Sequence, residues 1–500
     1  MRTRFADTLA CALAGYGDRP FLEFERKWYT GNELTRYIDQ ISAALAAAGI
    51  GDHEPVGVVV RNRVPHAAAI LGFIATERPV AMIYSYQSAT AIARDIETLS
   101  LPAVLADSQD WTPEVVDAAR RTGTAGMALS DHPLDLSMTT APGAAQPDPG
   151  LTLAGLHILT SGTTGPPKRI PVTTEALAHT VLSMSVADAT SRTTSGRTVA
   201  DDDPPDLVYW PFGSIGVCQL LAAPSSGKRM VLLEKFTVPE WVRAVKTYRI
   251  KRTGVQPAII RMLLEADVPP ADLASLEYLP GGSGPLEPEL REEFEQRYGI
   301  PLLWAYGATE FAGSVCAWTP DLHRRYGTQK PGSVGRPLPG VRVRIVDAET
   351  GTEVPAGTIG LLQAVVEAIG PHWVRTTDVA SVDDDGFLTV HGRRDGAINR
   401  GGFKILPESV RHVLISHPSV RDACVVGVPD HRLGQVPFAA VERRVGAVAP
   451  TENELKDLVR ETLPSHHVPV AVAVVDELPR NAAMKVRPGD VAALYDTLRD

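Results

Sequence analysis

A loop rich in glycine and hydroxyl side chains follows a short apolar run near residue 160. The segment LHILTSGTTGPPKRIPVT, residues 156–173, reads as a strand (LHIL) that enters a Gly/Ser/Thr loop ending at Lys168. Glycines let backbone N–H groups turn toward a phosphate, while hydroxyls and a lysine add donors and positive charge. The spacing differs from the GxxxxGK[ST] pattern of a P-loop. The loop alone is equally consistent with a phosphate site and with a polar surface turn.

Three other segments carry groups that suit nucleotide chemistry. In YGATE, residues 306–310, Tyr306 could stack on a purine and Glu310 could supply the oxygen ligand that Mg²⁺ prefers. Asp378, at the end of WVRTTD, could accept both hydroxyls of a ribose. Lys485 lies in the polar loop RNAAMKV. Taken singly, these are a helix start, a turn acid and a solvated surface cation.

The scaffold predicted around these motifs is α/β. GNELTRYIDQISAALAAAGI predicts an amphipathic helix, and PVGVVV and PVAMIY predict strands on either side of the buried helix HAAAILGFIATE. Strand–helix–strand alternation predicts a parallel sheet covered by helices. VRVRIVD, GLLQAVV and GFLTVHG predict a β-rich subdomain after residue 330, and a small α+β unit follows from about 396. Residues 185–205 predict a polar loop.

Composition excludes several classes of function. The 500 residues carry 49 Lys and Arg against 59 Asp and Glu, a net charge of −10, so a general nucleic-acid binder is not expected. The four cysteines, Cys11, Cys218, Cys316 and Cys424, lie far apart and indicate neither a metal knuckle nor a disulfide framework. No run approaches the ~20 apolar residues of a membrane span. We expect a cytoplasmic protein with no membrane partner.

Seven stretches, in order along nearly the whole chain, resemble the adenylate-forming (ANL) superfamily. This superfamily contains acyl-CoA synthetases, aryl-CoA ligases, luciferases and the adenylation domains of peptide synthetases. The stretches are the 156–173 loop, GGSGPL (281–286), YGATE (306–310), WVRTTD (373–378), GRRDGAINRGGFKILPE (392–408), VVGVPDHRLGQVPFAAV (425–441) and LPRNAAMKVRP (478–488). The resemblance implies a large N-terminal domain of parallel sheets with a β-rich subdomain, residues 1–394, and a small mobile α+β C-terminal domain, residues 395–500.

The resemblance also implies roles for individual residues. Thr309 would touch the AMP phosphate, Glu310 would bind Mg²⁺, Tyr306 would lie against adenine, and Asp378, assisted by Arg393, would bind ribose. Lys485 would bridge the attacking carboxylate and the α-phosphate, with Thr164 and Glu310 as the other catalytic residues. The implied nucleotide site consists of Thr160, Ser161, Gly162, Thr163, Thr164, Gly165, Lys168, Gly282, Ser283, Gly284, Tyr306, Gly307, Thr309, Asp378 and Arg393. Asp395 would be the hinge, and the residues facing coenzyme A would be Gly401, Gly402 and Phe403.

The acyl pocket is predicted from the same alignment of motifs. Its members would be Trp210, Phe212, Gly213, Gln256, Pro257, Ser283, Ala305, Gly307 and Ala308. Many acyl and aryl members carry His at the position of Gly213, and amino-acid-activating members carry an Asp nearby, which this chain lacks. Small residues between the walls formed by Trp210, Phe212 and Pro257 favour a bulky hydrophobic acid, one of a specialised biosynthetic pathway. These small residues are Gly213, Gly216, Gly282, Gly284, Ala305, Gly307 and Ala308. The alternative is that these small residues only allow strands to pack.

Four residues depart from the family's usual pattern. Arg169 stands where Gly is usual, Thr377 replaces the Gly of RTGD, Asn399 stands where Lys is common, and Met484 replaces the Gly before the catalytic Lys. We expect an ATP-dependent, AMP-forming acid–thiol ligase that uses ATP, Mg²⁺ and coenzyme A. The alternatives are transfer to a carrier-protein pantetheine and, in another class, a non-catalytic nucleotide-binding homologue.

Overall fold

The computed structural model divides the chain into two compact units. The first comprises Met1–Thr253 and Glu265–Tyr278, and the second comprises Gly254–Leu264 and Leu279–Asp500. The structure describes residues 3–131, 133–160, 168–186, 203–282, 284–308, 311, 313–367, 369–394, 396–400, 403–481 and 484–498. The predicted loop at 185–205 lies largely outside these residues.

The first unit is built on a mixed seven-stranded sheet. Its helices are α1 (Arg4–Tyr16), α2 (Gly31–Ala47), α3 (Val64–Thr76), α4 (Ala89–Leu99), α5 (Pro113–Thr122), α6 (Thr174–Val186), α7 (Ser214–Ser225) and α8 (Val238–Tyr248). Its strands are β1 (Pro20–Phe24), β2 (Lys27–Thr30), β3 (Val56–Val60), β4 (Pro79–Tyr84), β5 (Ala103–Asp107), β6 (Ala125–Asp131), β7 (Leu134–Thr140), β8 (Gly155–Thr160), β9 (Lys168–Thr173), β10 (Asp206–Val208) and β11 (Met230–Leu232).

The parallel sheet predicted from strand–helix–strand alternation is confirmed. The order is β7-β6-β5-β3-β4-β8-β9, with β3, β4, β5, β6 and β8 parallel and antiparallel strands at both edges. A second sheet has the order β10-β11-β1-β2. The β-branched run of β3 is buried throughout because helices cover both faces of a parallel sheet.

Two of the predicted helices form for different reasons. α2 starts with a reciprocal capping box between Thr30 and Glu33 and buries one face, as its amphipathic pattern requires. α3 is apolar on all sides and is buried from Val64 to Ala75, as expected of a helix packed into a core.

The described residues of the second unit form three sheets. Its helices are α9 (Pro257–Glu265), α10 (Pro288–Tyr298), α11 (Pro320–Tyr326), α12 (Pro407–Ile415), α13 (Glu452–Thr462) and α14 (Pro488–Thr497). Its strands are β12 (Leu279–Gly281), β13 (Leu302–Ala308), β14 (Gly313–Ala317), β15 (Arg336–Pro337), β16 (Val341–Val346), β17 (Gly360–Val366), β18 (Val374–Val382), β19 (Leu388–Arg393), β20 (Ile398–Arg400), β21 (Phe403–Ile405), β22 (Val420–Asp430), β23 (Gly434–Arg443) and β24 (Val472–Val475).

The β-rich texture after residue 330 corresponds to the antiparallel sheet β16-β17-β18-β19. The C-terminal α+β unit contains β21-β20-β23-β22, with β24 parallel to β23. Its long hairpin β22–β23 extends beyond the predicted strand ACVVGV, because cross-strand pairing recruits flanking polar residues. β19 ends at Arg393 and β20 begins at Ile398, while the domain division at 394/395 remains a prediction.

Candidate active site

Several predicted site residues lie outside the described part of the chain. They are Ser161, Gly162, Thr163, Thr164, Gly165, Ser283, Thr309, Glu310, Asp395, Gly401 and Gly402. Thr160 and Lys168 face each other as the last β8 residue and the first β9 residue, so the predicted phosphate loop joins these two strands. Ala308 ends β13. The roles assigned to all these residues remain predictions.

The structure brings together Tyr306, Asp378 and Arg393 from three different strands. The Tyr306 hydroxyl, on β13, donates a close hydrogen bond to Oδ2 of Asp378 on β18. Asp378 lies directly opposite Arg393 of β19, and the Arg393 guanidinium donates to the Thr377 hydroxyl at 2.9 Å. The Asp378 carboxylate remains partly exposed. Because an ionised carboxylate has about four acceptor positions, it can still bind a pair of hydroxyls.

Two predicted pocket residues, Gln256 and Ala305, and one predicted nucleotide-site residue, Gly282, lie on neighbouring segments of one sheet in the second unit. Val255 bridges Gly281 in parallel, and Gly281 pairs in parallel with Trp304, so Gln256, Gly282 and Ala305 each follow a paired residue at the point where the parallel pairing ends, although β13 itself continues to Ala308. In open parallel sheets, ligands bind at the carboxyl ends of the strands. Pro257 begins α9 directly after Gln256.

Trp210, Phe212 and Gly213 lie on one loop of the first unit, and Asn62 fixes this loop. The buried Asn62 amide donates to the carbonyl of Trp210 at 2.9 Å, and its oxygen accepts from the N–H of Phe212 at 3.0 Å. A further donation reaches the carbonyl of Leu233. Sequence reasoning missed Asn62, although a polar residue two positions after the buried strand β3 is a signal for this edge of the sheet.

Tyr84 faces Gly213 and was also missed. A Cβ placed at Gly213 would lie 3.5 Å from the Tyr84 hydroxyl, an ordinary contact. The ring of Tyr84 stacks on that of Tyr86 at 5.0 Å between centroids. Burial raises the pKa of Tyr84 to about 12, so its hydroxyl keeps its proton near neutral pH. The two rings form an aromatic surface beside Gly213.

The glycines predicted to widen the pocket occur for two different structural reasons. A Cβ at Gly216 would lie 2.2 Å from the Pro211 carbonyl, and one at Gly307 would lie 2.3 Å from the Gly313 carbonyl. Close backbone approach therefore requires glycine at both positions. Gly284, by contrast, has no atom within 4 Å of a built Cβ, and Gly213 has room for a small side chain. Gly213 and Gly284 therefore have open space beside the backbone, whereas Gly216 and Gly307 do not.

Arg169, which departs from the family pattern, has a structural role. Its guanidinium donates to the carbonyls of Met82 at 2.8 Å and His157 at 3.1 Å, and so ties β9 to β4 and β8. Burial lowers the pKa of Arg169.

Lys485 lies in a tight loop whose backbone is held by Asn481 and Arg480. The Asn481 side chain accepts from the Lys485 N–H at 3.0 Å, and the Asn481 N–H donates to the Lys485 carbonyl at 2.8 Å. Arg480 donates to the Met484 carbonyl at 3.2 Å. The Lys485 side chain is exposed, yet the protein around it withdraws its ammonium from water enough to lower its pKa.

Met484 takes the left-handed backbone conformation, with φ of 58°. Glycine, which the family resemblance places at this position, adopts this conformation without steric cost, whereas the Cβ of Met484 makes it unfavourable.

Phe403 is the described member of the group predicted to face coenzyme A. Its side chain is 59% exposed and stacks on the imidazole of His466 at 4.5 Å. Arg400 donates to the His466 carbonyl at 2.7 Å and so holds this aromatic pair in place.

Comparison with family models matches residues 9–364 to the AMP-binding enzyme family and residues 410–485 to its C-terminal domain. The chain belongs to the AMP-binding enzyme family. The predicted membership of the adenylate-forming superfamily, acyl-CoA synthetase branch, is confirmed, and so is the predicted fold class. As a member, the chain is an ATP-dependent, AMP-forming ligase.

Similar proteins include a 2-succinylbenzoate–CoA ligase of Bacillus pumilus, 28% identical over 94% of each chain. ATP-bound MatB from Rhodopseudomonas palustris has the same fold, with a TM-score of 0.79, 20% identity, and 99% and 100% of the two chains covered. The amide bond synthetase McbA from Marinactinospora thermotolerans gives a TM-score of 0.76 at 25% identity, covering 98% of this chain and 99% of its own. Within the described ranges, no helix combines the length and apolar character that crossing a bilayer would require.

Proposed function

We propose that this AMP-binding family member is an acyl-CoA synthetase acting on a bulky hydrophobic carboxylic acid in a specialised biosynthetic pathway. In the first step a carboxylate oxygen attacks the α-phosphorus of ATP, which forms acyl-AMP and releases pyrophosphate. In the second step the coenzyme A thiol loses its proton and attacks the acyl carbon, which forms the thioester and releases AMP.

The observation that carries this proposal is the contact between Tyr306 and Asp378 on the chain matched by the family model. The carboxylate of Asp378 receives the ribose hydroxyls, and Tyr306 fixes its orientation while offering a ring to adenine. Arg393, across from Asp378, supplies positive charge. Catalysis then depends on the ammonium of Lys485, which neutralises charge between the acid and the α-phosphate.

The remaining nucleotide contacts are proposed from sequence. The loop from Thr160 to Lys168 holds the phosphates, with Thr164 at the reacting end. Glu310 is the proposed Mg²⁺ ligand, since carboxylate oxygen suits this hard cation, which would neutralise phosphate charge.

The character of the acid is inferred from the first unit. Trp210 and Phe212 are buried aromatics on a loop clamped by Asn62, and Gly213 leaves space in front of Tyr84. Phe212 itself packs in the core at 1% exposure, so the surface proposed for the acid is the Tyr84 ring beside Gly213, and an aromatic ring suits a hydrophobic acid better than an amino acid. The relatives named as CoA ligases support coenzyme A as acceptor. Carrier-protein pantetheine is the alternative thiol, and the likeness to an amide bond synthetase adds an amine as a second candidate acceptor.

A pyrophosphate-release screen over aliphatic, aromatic and polycyclic acids tests the proposal. We expect release that depends on acid, ATP and Mg²⁺, and mass spectrometry should detect an acyl-CoA when coenzyme A is added. Parallel reactions with pantetheinylated carrier protein and with amines identify the acceptor. A failure of every acid to release pyrophosphate would contradict the adenylation step.

Replacing Gly213 by tryptophan is expected to raise the KM for the acid at least tenfold while leaving the KM for ATP within twofold. The indole must occupy the space in front of Tyr84, where only a small side chain fits at 3.5 Å. Gly213→Ala is the matched control and should behave nearly as wild type. Steady-state pyrophosphate release measures both constants, and an unchanged KM for the acid would remove Gly213 from the pocket.

In the pH–rate profile of adenylation, the fall in rate at high pH (the alkaline limb) should occur below pH 10.5, the ordinary pKa of a lysine. Partial withdrawal from water lowers the pKa of Lys485, so its proton is lost, and the rate falls, at a lower pH than for a solvated lysine. Acid-dependent ATP–pyrophosphate exchange measures this step without a thiol. Lys485→Arg should give a slower enzyme without this limb, because guanidinium stays protonated. If the fall in rate at high pH persisted unchanged in the arginine variant, it would be due to a titrating group other than Lys485.

A further inference from the structure

A buried cluster of charged side chains joins the C-terminal module, residues 395–500, to the rest of the second unit. This ion cluster consists of Arg261, Glu287, Arg411, Arg421, Asp422, Glu442 and Arg480. Glu287 immediately precedes α10, and Arg261 lies on α9; the other five residues belong to the module. The side chains of Glu287 and Asp422 are only 7% and 3% exposed.

In the described part of the chain, two pairs of this cluster cross the predicted boundary. The Arg411 guanidinium lies 2.6 Å from Oε1 of Glu287, and the Arg261 guanidinium lies 3.6 Å from Oδ2 of Asp422. Burial by itself would raise the pKa of Asp422, but the guanidiniums of Arg411, Arg261 and Arg480 hold this pKa well below its usual range. The Asp422 carboxylate therefore stays charged and attracts the guanidinium groups on both sides of the boundary.

The cluster continues to the loop that carries Lys485. Arg480 lies 2.7 Å from Asp422 and 3.0 Å from Glu442, and its other nitrogen donates to the Met484 carbonyl. An isolated β-bridge between Arg480 and Val486 closes the loop around Lys485. A chain of contacts thus runs from Glu287 through Arg411, Asp422 and Arg480 to the residue before the lysine.

Each side of the boundary is also paired within itself. Glu287 lies 2.7 Å from Arg261, and Asp422 lies 2.7 Å from both Arg411 and Arg480. Separation of the two sides therefore leaves no carboxylate without a partner, which would otherwise make opening costly.

A cavity of about 80 Å³ remains at the same boundary, lined by residues of both sides: Ala258, Arg261, Met262, Arg421, Glu477, Arg480 and Met484. Ion pairs hold the contact between the module and the rest of the second unit, and the packing there is incomplete. Such a contact can form and break.

We propose that Glu287 and Arg261 are positioning residues that latch the C-terminal module through Arg411 and Asp422, and so present Lys485 for adenylation. The latch is closed in this structure, with Met484 lining the same cavity as Ala258 and Met262 of α9. The inference rests on the proposed role of Lys485. Opening the latch releases the module from this orientation, and adenylation then slows more than thioester formation.

Glu287→Gln tests the latch, because it keeps the side-chain shape but leaves Arg261 and Arg411 without the carboxylate between them. We expect the acid-dependent ATP–pyrophosphate exchange rate to fall at least fivefold. Thioester formation from supplied acyl-adenylate should stay within twofold of wild type. Glu292→Gln, on the exposed side of α10, is the matched control and should alter neither rate. Glu287→Asp retains the charge and should recover most of the exchange rate. If the glutamine variant folds poorly, the aspartate variant still tests whether the carboxylate at this position is needed.

Hydrogen exchange without substrates provides a readout that does not depend on the proposed function. In Glu287→Gln, peptides covering 257–264 and 478–487 should exchange faster, while peptides from β22 and β23 keep their protection. Unchanged exchange in the first two segments would overturn the latch, whatever the activity. Equal losses in both half-reactions would overturn its positioning role. A wild-type protein that releases no pyrophosphate with any acid would refute the proposed function but leave the exchange result valid.

Discussion

Lys485→Ala is expected to lower the rate of acid-dependent pyrophosphate release by about 10²–10³-fold, the range typical of losing one electrostatic group at a transition state. The loop around Lys485 is held by Asn481 and Arg480 through backbone contacts, so the truncation leaves its scaffold intact. Because the ammonium acts on charge that develops during attack, the loss should appear in kcat, with little change in the KM for ATP.

Arg487→Ala is the control for this substitution. Arg487 is an exposed cation two residues away that pairs with Asp490 at 3.0 Å. Its removal should leave adenylation within twofold of wild type. Thioester formation from supplied acyl-adenylate should survive in Lys485→Ala. An alanine variant that kept wild-type adenylation would show that Lys485 is a surface cation, as its loop position alone indicates.

Asp378→Ala is expected to raise the KM for ATP about 10- to 100-fold. Hydrogen bonds to a charged group contribute about 1.5–3 kcal/mol, and each 1.4 kcal/mol corresponds to tenfold in affinity. The substitution also removes the acceptor for the Tyr306 hydroxyl, so the ring loses its orientation. Initial rates at varied ATP and saturating acid measure this effect.

Two further variants separate the contributions of the pair. Asp378→Asn keeps an acceptor for Tyr306 and should lie between wild type and alanine, whereas Tyr306→Phe should cost less than tenfold. Asp385→Ala, an exposed acid that contacts Lys330, is the control and should leave the KM for ATP unchanged. If Asp378→Ala bound ATP as well as wild type does, the carboxylate would serve only to hold Tyr306.

The sequence predicted much of the scaffold because the signals are local. The capping residues and apolar spacing of α2, the uninterrupted β-branched run of β3 and the all-apolar α3 each fix an element without knowledge of its neighbours. Ordered motifs then indicated the family. The long hairpin β22–β23 was only partly predicted, because its ends depend on partners across the sheet.

Tyr306, Asp378 and Lys485 were assigned to the candidate site because they lie in motifs that resemble those of the family, since each residue type by itself also has an ordinary structural interpretation. The site was not predictable at Asn62 and Tyr84, whose relevance comes from backbone groups about 150 and 130 positions away in sequence. Gly216 and Gly307 show the converse: small residues that suggested pocket space are required by neighbouring carbonyls.

By itself the sequence determined the fold class and the family, since these depend on residue type and local order, whereas the reactive groups that it indicates remain predictions. Only the tertiary structure decided which charges meet. Glu287 and Arg480 lie 193 positions apart in sequence, yet Arg411 and Asp422 connect them, because a charge that the fold removes from water must be paired with an opposite charge.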